Sequence, residues 1–126
     1  MARRYLQTLL PIVFLALLAG CDAMMGAKVL PDSETPQFVF NGIHWPAPCK
    51  LFGLTIVETK SGMAVWRITS DGARIESVRY GEVPVGFVER VPSQPLKAAA
   101  VYEVRLDGGQ GCALARSSQF QMPVPR

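Results

Sequence analysis

Turn residues are the feature of this sequence that most constrains its fold. Between residues 37 and 126, glycine, proline and asparagine interrupt the chain at intervals too short for a long helix. The runs between them are rich in β-branched and aromatic residues and show no helical periodicity. In residues 64–69, Ala64, Trp66 and Ile68 lie on one face and Arg67 and Thr69 lie on the other, as in a half-buried strand with Trp66 in the core. The pattern predicts an all-β domain.

About seven short antiparallel strands fit this stretch of the chain, and they suit either a β-sandwich or a small barrel. A hairpin turn is predicted at Asp71-Gly72, because this dipeptide favours tight turns between paired strands. The predicted strands are residues 38–40, 51–59, 64–69, 74–80, 87–91, 102–106 and, at the end of the chain, 112–115 with 120–122.

Residues 96–106 favour the sandwich. Leu96 precedes Tyr102 by six positions, and this stretch resembles the tyrosine corner of fibronectin type III domains. The resemblance implies an immunoglobulin or fibronectin type III-like sandwich, in which the Tyr102 hydroxyl bonds to the backbone just upstream and pins a connection between sheets. The family's usual Pro-Gly is replaced here by Ala98-Ala99. The alternative is an alternating edge strand that happens to contain a tyrosine.

The N-terminal residues 1–20 have the pattern of a cleaved signal peptide. Arg3 and Arg4 form a positive start, and the apolar run of residues 9–20 is short for a bilayer span. The alternative is an uncleaved membrane helix, which Pro11 in the middle of the run disfavours.

Leu18-Ala19-Gly20-Cys21 resembles the lipobox of bacterial lipoproteins. The resemblance implies cleavage before Cys21, a diacylglycerol group on its thiol and an acyl chain on its new amino group. Two or more chains hold a protein stably in a membrane, so we expect attachment at the periplasmic face. Asp22 resembles the signal that retains some enteric lipoproteins in the inner membrane, which favours that membrane over the outer one.

Charge and length exclude several classes of protein. The chain has 126 residues with a formal net charge of +3, and loss of residues 1–20 removes Arg3 and Arg4, leaving 11 basic and 10 acidic residues. A nearly neutral domain lacks the basic stripe that nucleic-acid binding needs, so no nucleic-acid partner is expected. The length allows one domain and is too short for an enzyme of the dinucleotide-binding type.

Residues 21–36 are predicted to be the lipidated cysteine and a flexible tether, because they contain two prolines, a glycine and mixed polar residues. Such a tether spans at most ~50 Å when extended and ~20 Å on average. The folded domain is then expected to be residues 37–126.

Cys49 and Cys112 remain once Cys21 is lipidated, and an exported domain usually pairs two such thiols. The disulfide would close a loop of about 60 residues, which the chain-entropy argument values at roughly 4 kcal/mol. The alternative is two separate buried thiols. A metal site is disfavoured, because there is no Cys-x-x-Cys spacing and His44 is the only histidine.

Four residues are candidate partner contacts. His44 and Trp45 lie in a proline-rich segment predicted to be a loop, although Trp45 could equally cap the core. Tyr80 and Phe87 flank the Gly- and Pro-containing residues 81–86, which predict either a recognition loop or, preferably, a rigid connection with both rings in the core.

Catalytic signatures are weak throughout. A Ser-His-Asp site would have to use His44, and no Gly-x-Ser-x-Gly elbow is present. Residues 108–111 predict a hairpin loop and not a phosphate cradle. Glu82 and Glu89 could face each other as an acid/base pair, but charges beside turns are usually solvated. We therefore expect no enzyme activity and no cofactor.

These observations predict a lipid-anchored, non-enzymatic binding or scaffold module on the periplasmic side of the bacterial envelope, with an envelope protein as partner. The alternative is an envelope-bound inhibitor or accessory of a cell-wall hydrolase that inserts residues 79–87 into a cleft. A third hypothesis, catalysis by His44, requires a turnover that we do not expect.

Overall fold

The computed structural model describes residues 23–30, 35–41, 49–109, 112–114 and 118–124, and all their regular structure is β. In these segments no helix is long and apolar enough to cross a membrane. The strands are β1 (Ala23–Leu30), β2 (Gln37–Asn41), β3 (Leu51–Glu58), β4 (Ala64–Ala73), β5 (Ser77–Arg79), β6 (Phe87–Val91), β7 (Val101–Asp107), β8 (Cys112–Leu114) and β9 (Ser118–Gln121).

The strands form two sheets, and the predicted β-sandwich is confirmed. One sheet has the order β5-β2-β1-β8 and the other the order β6-β4-β3-β7-β9. All neighbours are antiparallel except β1 and β8, which are parallel. The described part of the chain therefore has nine strands where about seven were expected.

Side chains from the inner faces of both sheets form one core. Trp66, Ile56 and Tyr102 of the larger sheet are fully or almost fully buried, and so is Phe38 of the smaller sheet. Phe120 joins the two sheets through an edge contact with Phe38, at 5.7 Å between ring centroids, and a stacked contact with Tyr102 at 5.5 Å. Full burial of a large apolar side chain contributes roughly 1.5–3 kcal/mol, so this aromatic cluster helps to hold the two sheets together.

Residues 23–30 are a strand and not part of a flexible tether, which corrects the predicted domain boundary. β1 pairs with β2 from Gly26↔Asn41 to Leu30↔Gln37, and it also pairs with β8. Ala27 and Val29 pack against the core, and the intervening Lys28 is exposed. The sandwich thus begins no later than Ala23 instead of at residue 37, because β1 completes the hydrogen bonding of both of its neighbours.

The predicted hairpin at Asp71-Gly72 is also wrong. β4 continues to Ala73, and the next strand, β5, pairs with β2 in the other sheet. Between Gly53↔Thr69 and Leu51↔Ala73 the β3–β4 register shifts, so Asp71-Gly72 forms a bulge. Gly72 has a φ of +110°, and a Cβ there would lie 3.0 Å from the Phe52 ring. The dipeptide forms an irregularity near the end of β4 instead of reversing the chain.

The connection into β7 contains the hydrogen bond predicted for Tyr102. The Lys97 amide donates to the Tyr102 hydroxyl at 2.8 Å. The connection does not pass between sheets, however, because β6 and β7 belong to the same sheet, with β4 and β3 between them. Tyr102 therefore pins a crossover from one side of the larger sheet to the other.

Candidate functional site

Tyr80 and Phe87 are core residues and not surface contacts. Their exposed fractions are 6% and 8%, so the structure corrects their assignment as candidate partner contacts and agrees with the preferred prediction that both rings lie in the core. The Tyr80 ring packs edge-on against Trp66, with 5.2 Å between centroids. The physical reason is geometric, since each ring stands at a strand end and turns inward between the two sheets. They anchor the loop between them instead of offering a surface.

The Tyr80 hydroxyl ties three chain segments together. It donates to the carbonyl oxygen of Gln94 at 2.6 Å and lies 3.3 Å from that of Val65. Burial raises the pKa of Tyr80 to about 12, because the buried phenolate would lose its hydration, although the hydrogen bond to Gln94 opposes this. The loop that follows Tyr80 therefore starts from a fixed point.

Glu89 is the hydrogen-bond partner of a core tryptophan. The indole Nε1 of Trp66 donates to the Glu89 Oε2 at 2.9 Å, and the Trp66 side chain has no exposed surface. Glu89 lies on β6, whereas Glu82 is exposed in the preceding loop. Glu89 thus supplies the hydrogen-bond acceptor that the buried indole N–H of Trp66 requires.

Residues 82–86, which we name the valine loop, are held by a turn at each end. The Glu82 amide donates to the Arg79 carbonyl at 3.0 Å, and the Phe87 amide donates to the Pro84 carbonyl at 3.1 Å. Gly81 and Gly86 have φ values of +82° and +89°, a region that residues with a Cβ rarely adopt. The loop is therefore short, hydrogen-bonded and fixed at both ends by buried rings.

The tip of the valine loop presents apolar side chains to solvent. Val85 is 100% exposed and Val83 is 42% exposed, and Val88 on the adjoining strand is exposed as well. The exposed side chains of this segment are thus its valines and not its aromatic rings. The sequence signal for this apolar tip is Val83-Pro84-Val85, which lies between Gly81 and Gly86. It was missed because small apolar residues in a turn are less readily recognised as contact residues than aromatic ones.

A groove of about 490 Å³ lies between β1 and β9, where the two sheets meet. Val29, Phe120 and Met122 give it an apolar floor. The Ser118 hydroxyl donates across it to the Ala27 carbonyl at 2.6 Å, which links the sheets. No titratable side chain lines this groove in the described structure, so it offers no acid, base or charged nucleophile.

Cys49 is buried, with 1% exposure, and is disulfide-bonded. Cys112 begins β8, but its side chain lies outside the described residues. The other sequence-predicted positions, Cys21, His44 and Trp45, also lie outside them. In the described ranges, no three His, Cys, Asp or Glu side chains form a group that could hold a metal ion.

No known protein family, no curated protein and no solved structure matches the chain. The described residues form a small β-sandwich with a hydrogen-bonded, apolar loop.

Proposed function

We propose that this protein is a lipid-anchored, non-enzymatic binding or scaffold module on the periplasmic face of the bacterial envelope, with an envelope protein as its partner. The observation that carries the proposal is the valine loop, which holds a fully exposed Val85 on a hydrogen-bonded frame. A preorganised apolar loop loses little conformational entropy on binding, so a small contact can still be effective.

Attachment of acyl chains to Cys21 supports this function physically. The lipobox-like Leu18-Ala19-Gly20-Cys21 supplies the attachment point, and Asp22 favours the inner membrane. Confinement to one membrane raises the effective concentration of a partner in the same membrane, so modest intrinsic affinity suffices.

A disulfide between Cys49 and Cys112 belongs to the same proposal. Cys49 is disulfide-bonded, and Cys21 is reserved for lipid. Cys49 lies two residues before the start of β3. This strand pairs with β7 at Gly53↔Asp107, and four residues separate Asp107 from Cys112. An exported domain meets the oxidising conditions that such a bond needs.

The partner is tested by crosslinking in intact cells, comparing Val85→Asp with Val124→Asp. Val124 is a matched control because it is also an exposed valine, 65% exposed, but lies outside the valine loop. We expect a specific crosslinked protein in the wild type and in Val124→Asp, and its loss in Val85→Asp. Retention of the same adduct in both variants would show that the valine loop is not the contact.

A second candidate is an envelope-bound inhibitor or accessory of a cell-wall hydrolase, because a rigid protruding loop can enter an enzyme cleft. The test adds the unlipidated Cys21→Ser protein to purified cell-wall hydrolases acting on peptidoglycan. A concentration-dependent change in hydrolysis that Val85→Asp abolishes would support it. Unchanged hydrolysis at all concentrations would exclude it.

A further inference from the structure

The start of β1 determines how far the domain can be from its anchor. β1 begins at Ala23, two residues after Cys21, and pairs at once with Cys112 of β8. Two residues span at most about 7 Å, compared with about 50 Å for the tether expected from the sequence. A lipidated Cys21 is therefore joined almost directly to the sandwich.

We name the end of the sandwich at which β1 begins the anchor end. It contains Ala23 and Cys112 at the starts of β1 and β8, Gly109 after β7, and Gly72 and Lys50 beside β3. A Cβ built on Gly109 would lie 2.5 Å from the Phe52 ring, and one on Gly72 would lie 3.4 Å from the Lys50 Cδ. These close approaches place Lys50 at the same end as Gly109, which lies three residues before Cys112, the pairing partner of Ala23.

The opposite, distal end contains the turn after β3 and the start of β7. The Thr59 amide donates to the Val101 carbonyl at 3.1 Å, and Val101 pairs with Gln121 at the end of β9. Lys60 is exposed in that turn. Since a strand rises about 3.3 Å per residue, β3 separates Lys60 from Lys50 by about 30 Å.

We propose that the anchor end lies against the lipid headgroups, with Lys50 in this interface, and that the distal end projects into the periplasm. This inference rests on the proposed lipidation of Cys21. Among the described residues of the anchor end, the exposed charges are balanced, with Lys50 and Arg74 against Asp71 and Asp107. The short covalent link, and not electrostatic attraction, therefore holds this end at the membrane.

The test uses the mature lipoprotein in vesicles of phosphatidylethanolamine and phosphatidylglycerol. Its exposed lysines are labelled with a membrane-impermeant amine reagent, and labelling of each lysine is measured by mass spectrometry. The unlipidated Cys21→Ser protein is the reference for each lysine. Because headgroups shield only the anchor end, we expect labelling of Lys50 to fall about fivefold or more on the vesicles and that of Lys60 to change less than about twofold.

A matched variant carries a flexible Gly/Ser insertion of about ten residues between Asp22 and Ala23, which adds roughly 17 Å of mean reach. We expect this variant to float with vesicles and to regain labelling of Lys50. Equal labelling of Lys50 and Lys60 in vesicle-bound wild type overturns the orientation, as does persistent protection of Lys50 in the insertion variant.

Failure of the wild-type protein to float with vesicles has a different meaning. It would contradict the lipid anchor itself, and therefore both the proposed function and this orientation. Flotation with equal lysine labelling removes only the orientation, so the two failures are distinguishable.

Discussion

The backbone amide of Lys97 donates a hydrogen bond to the hydroxyl of Tyr102 at 2.8 Å. In the segment that starts at Lys97, the Ala100 amide donates to the Lys97 carbonyl at 3.3 Å and closes a turn. Ala99, the third residue of this turn, has a φ of +62°. The Tyr102 ring is buried in the core, so this one side chain connects the crossover into β7 to the aromatic cluster between the sheets.

Replacement of Tyr102 by Phe is expected to lower the free energy of unfolding by about 1–2 kcal/mol. The ring still fills its site, but the Lys97 amide loses its partner. Urea unfolding monitored by circular dichroism measures the difference, with an unchanged denaturant slope as evidence that the same transition is observed. A midpoint equal to that of the wild type would show that the hydrogen bond contributes nothing.

Ala99→Gly is expected to stabilise the protein by about 0.5–1 kcal/mol. Glycine adopts a positive φ without the steric penalty that Ala99 carries, and this gain exceeds its larger entropy in the unfolded chain. The matched control is Ala98→Gly, since a positive φ is recorded for Ala99 but not for Ala98 among the described residues. Thermal unfolding should rank Ala99→Gly above wild type and Ala98→Gly at or below it; the reverse order contradicts the argument.

The Trp66–Glu89 hydrogen bond predicts different effects for two substitutions of Glu89. Glu89→Ala leaves the buried indole donor without its acceptor and is expected to cost about 1–3 kcal/mol. Glu89→Gln keeps an acceptor oxygen and is expected to cost less. Chemical denaturation of the three proteins tests this order, and equal stability of all three would mean that solvent replaces the acceptor without cost.

Tyr80 predicts a loss of stability at alkaline pH. Its pKa is about 12 in the folded protein and about 10 in the unfolded chain, so between these values the unfolded state releases a proton that the folded state keeps. The contribution is fully present below pH 10 and is lost progressively as the pH rises toward 12, by up to about 2–3 kcal/mol.

Urea unfolding from pH 9 to 12 measures this loss. In Tyr80→Phe the pH dependence should be shallower, although the protein is less stable overall because the hydrogen bond to Gln94 is gone. Identical pH slopes for the two proteins would show that folding does not raise the pKa of Tyr80.

The proposed disulfide predicts that Cys112→Ala costs about 4 kcal/mol, because the unfolded chain gains the entropy of a loop of about 60 residues. The control is Cys21→Ser, which should retain this stability. Thiol counting on the unfolded Cys21→Ser protein checks the pairing. Two reactive thiols before reduction would exclude the bond.

Some strands were predictable because they depend on local patterns. The bounds expected for residues 87–91 are those of β6, and the alternation around Trp66 correctly placed this side chain in the core. β1 was missed because its glycine and its small residues give little β signal. It is a strand only because β2 and β8 offer hydrogen bonds on both sides.

The candidate site divides in the same way. A glycine at each end of the valine loop marked the loop in the sequence. Local sequence does not determine which side chains of this segment face solvent, the aromatic rings or the valines, because residues of either kind occur in cores and in interfaces. That choice depends on which sheet lies behind each side chain.

The sequence by itself determined the β class of this domain and the loop at residues 81–86, because these follow from residue type and short spacing. The tertiary structure alone decided that Ala23 already belongs to the sandwich and that β4 and β5 lie in different sheets. It also decided that Val85 and not Tyr80 faces outward. The physical reason is that strand pairing and burial are satisfied between segments distant in the chain, where local preference carries little information.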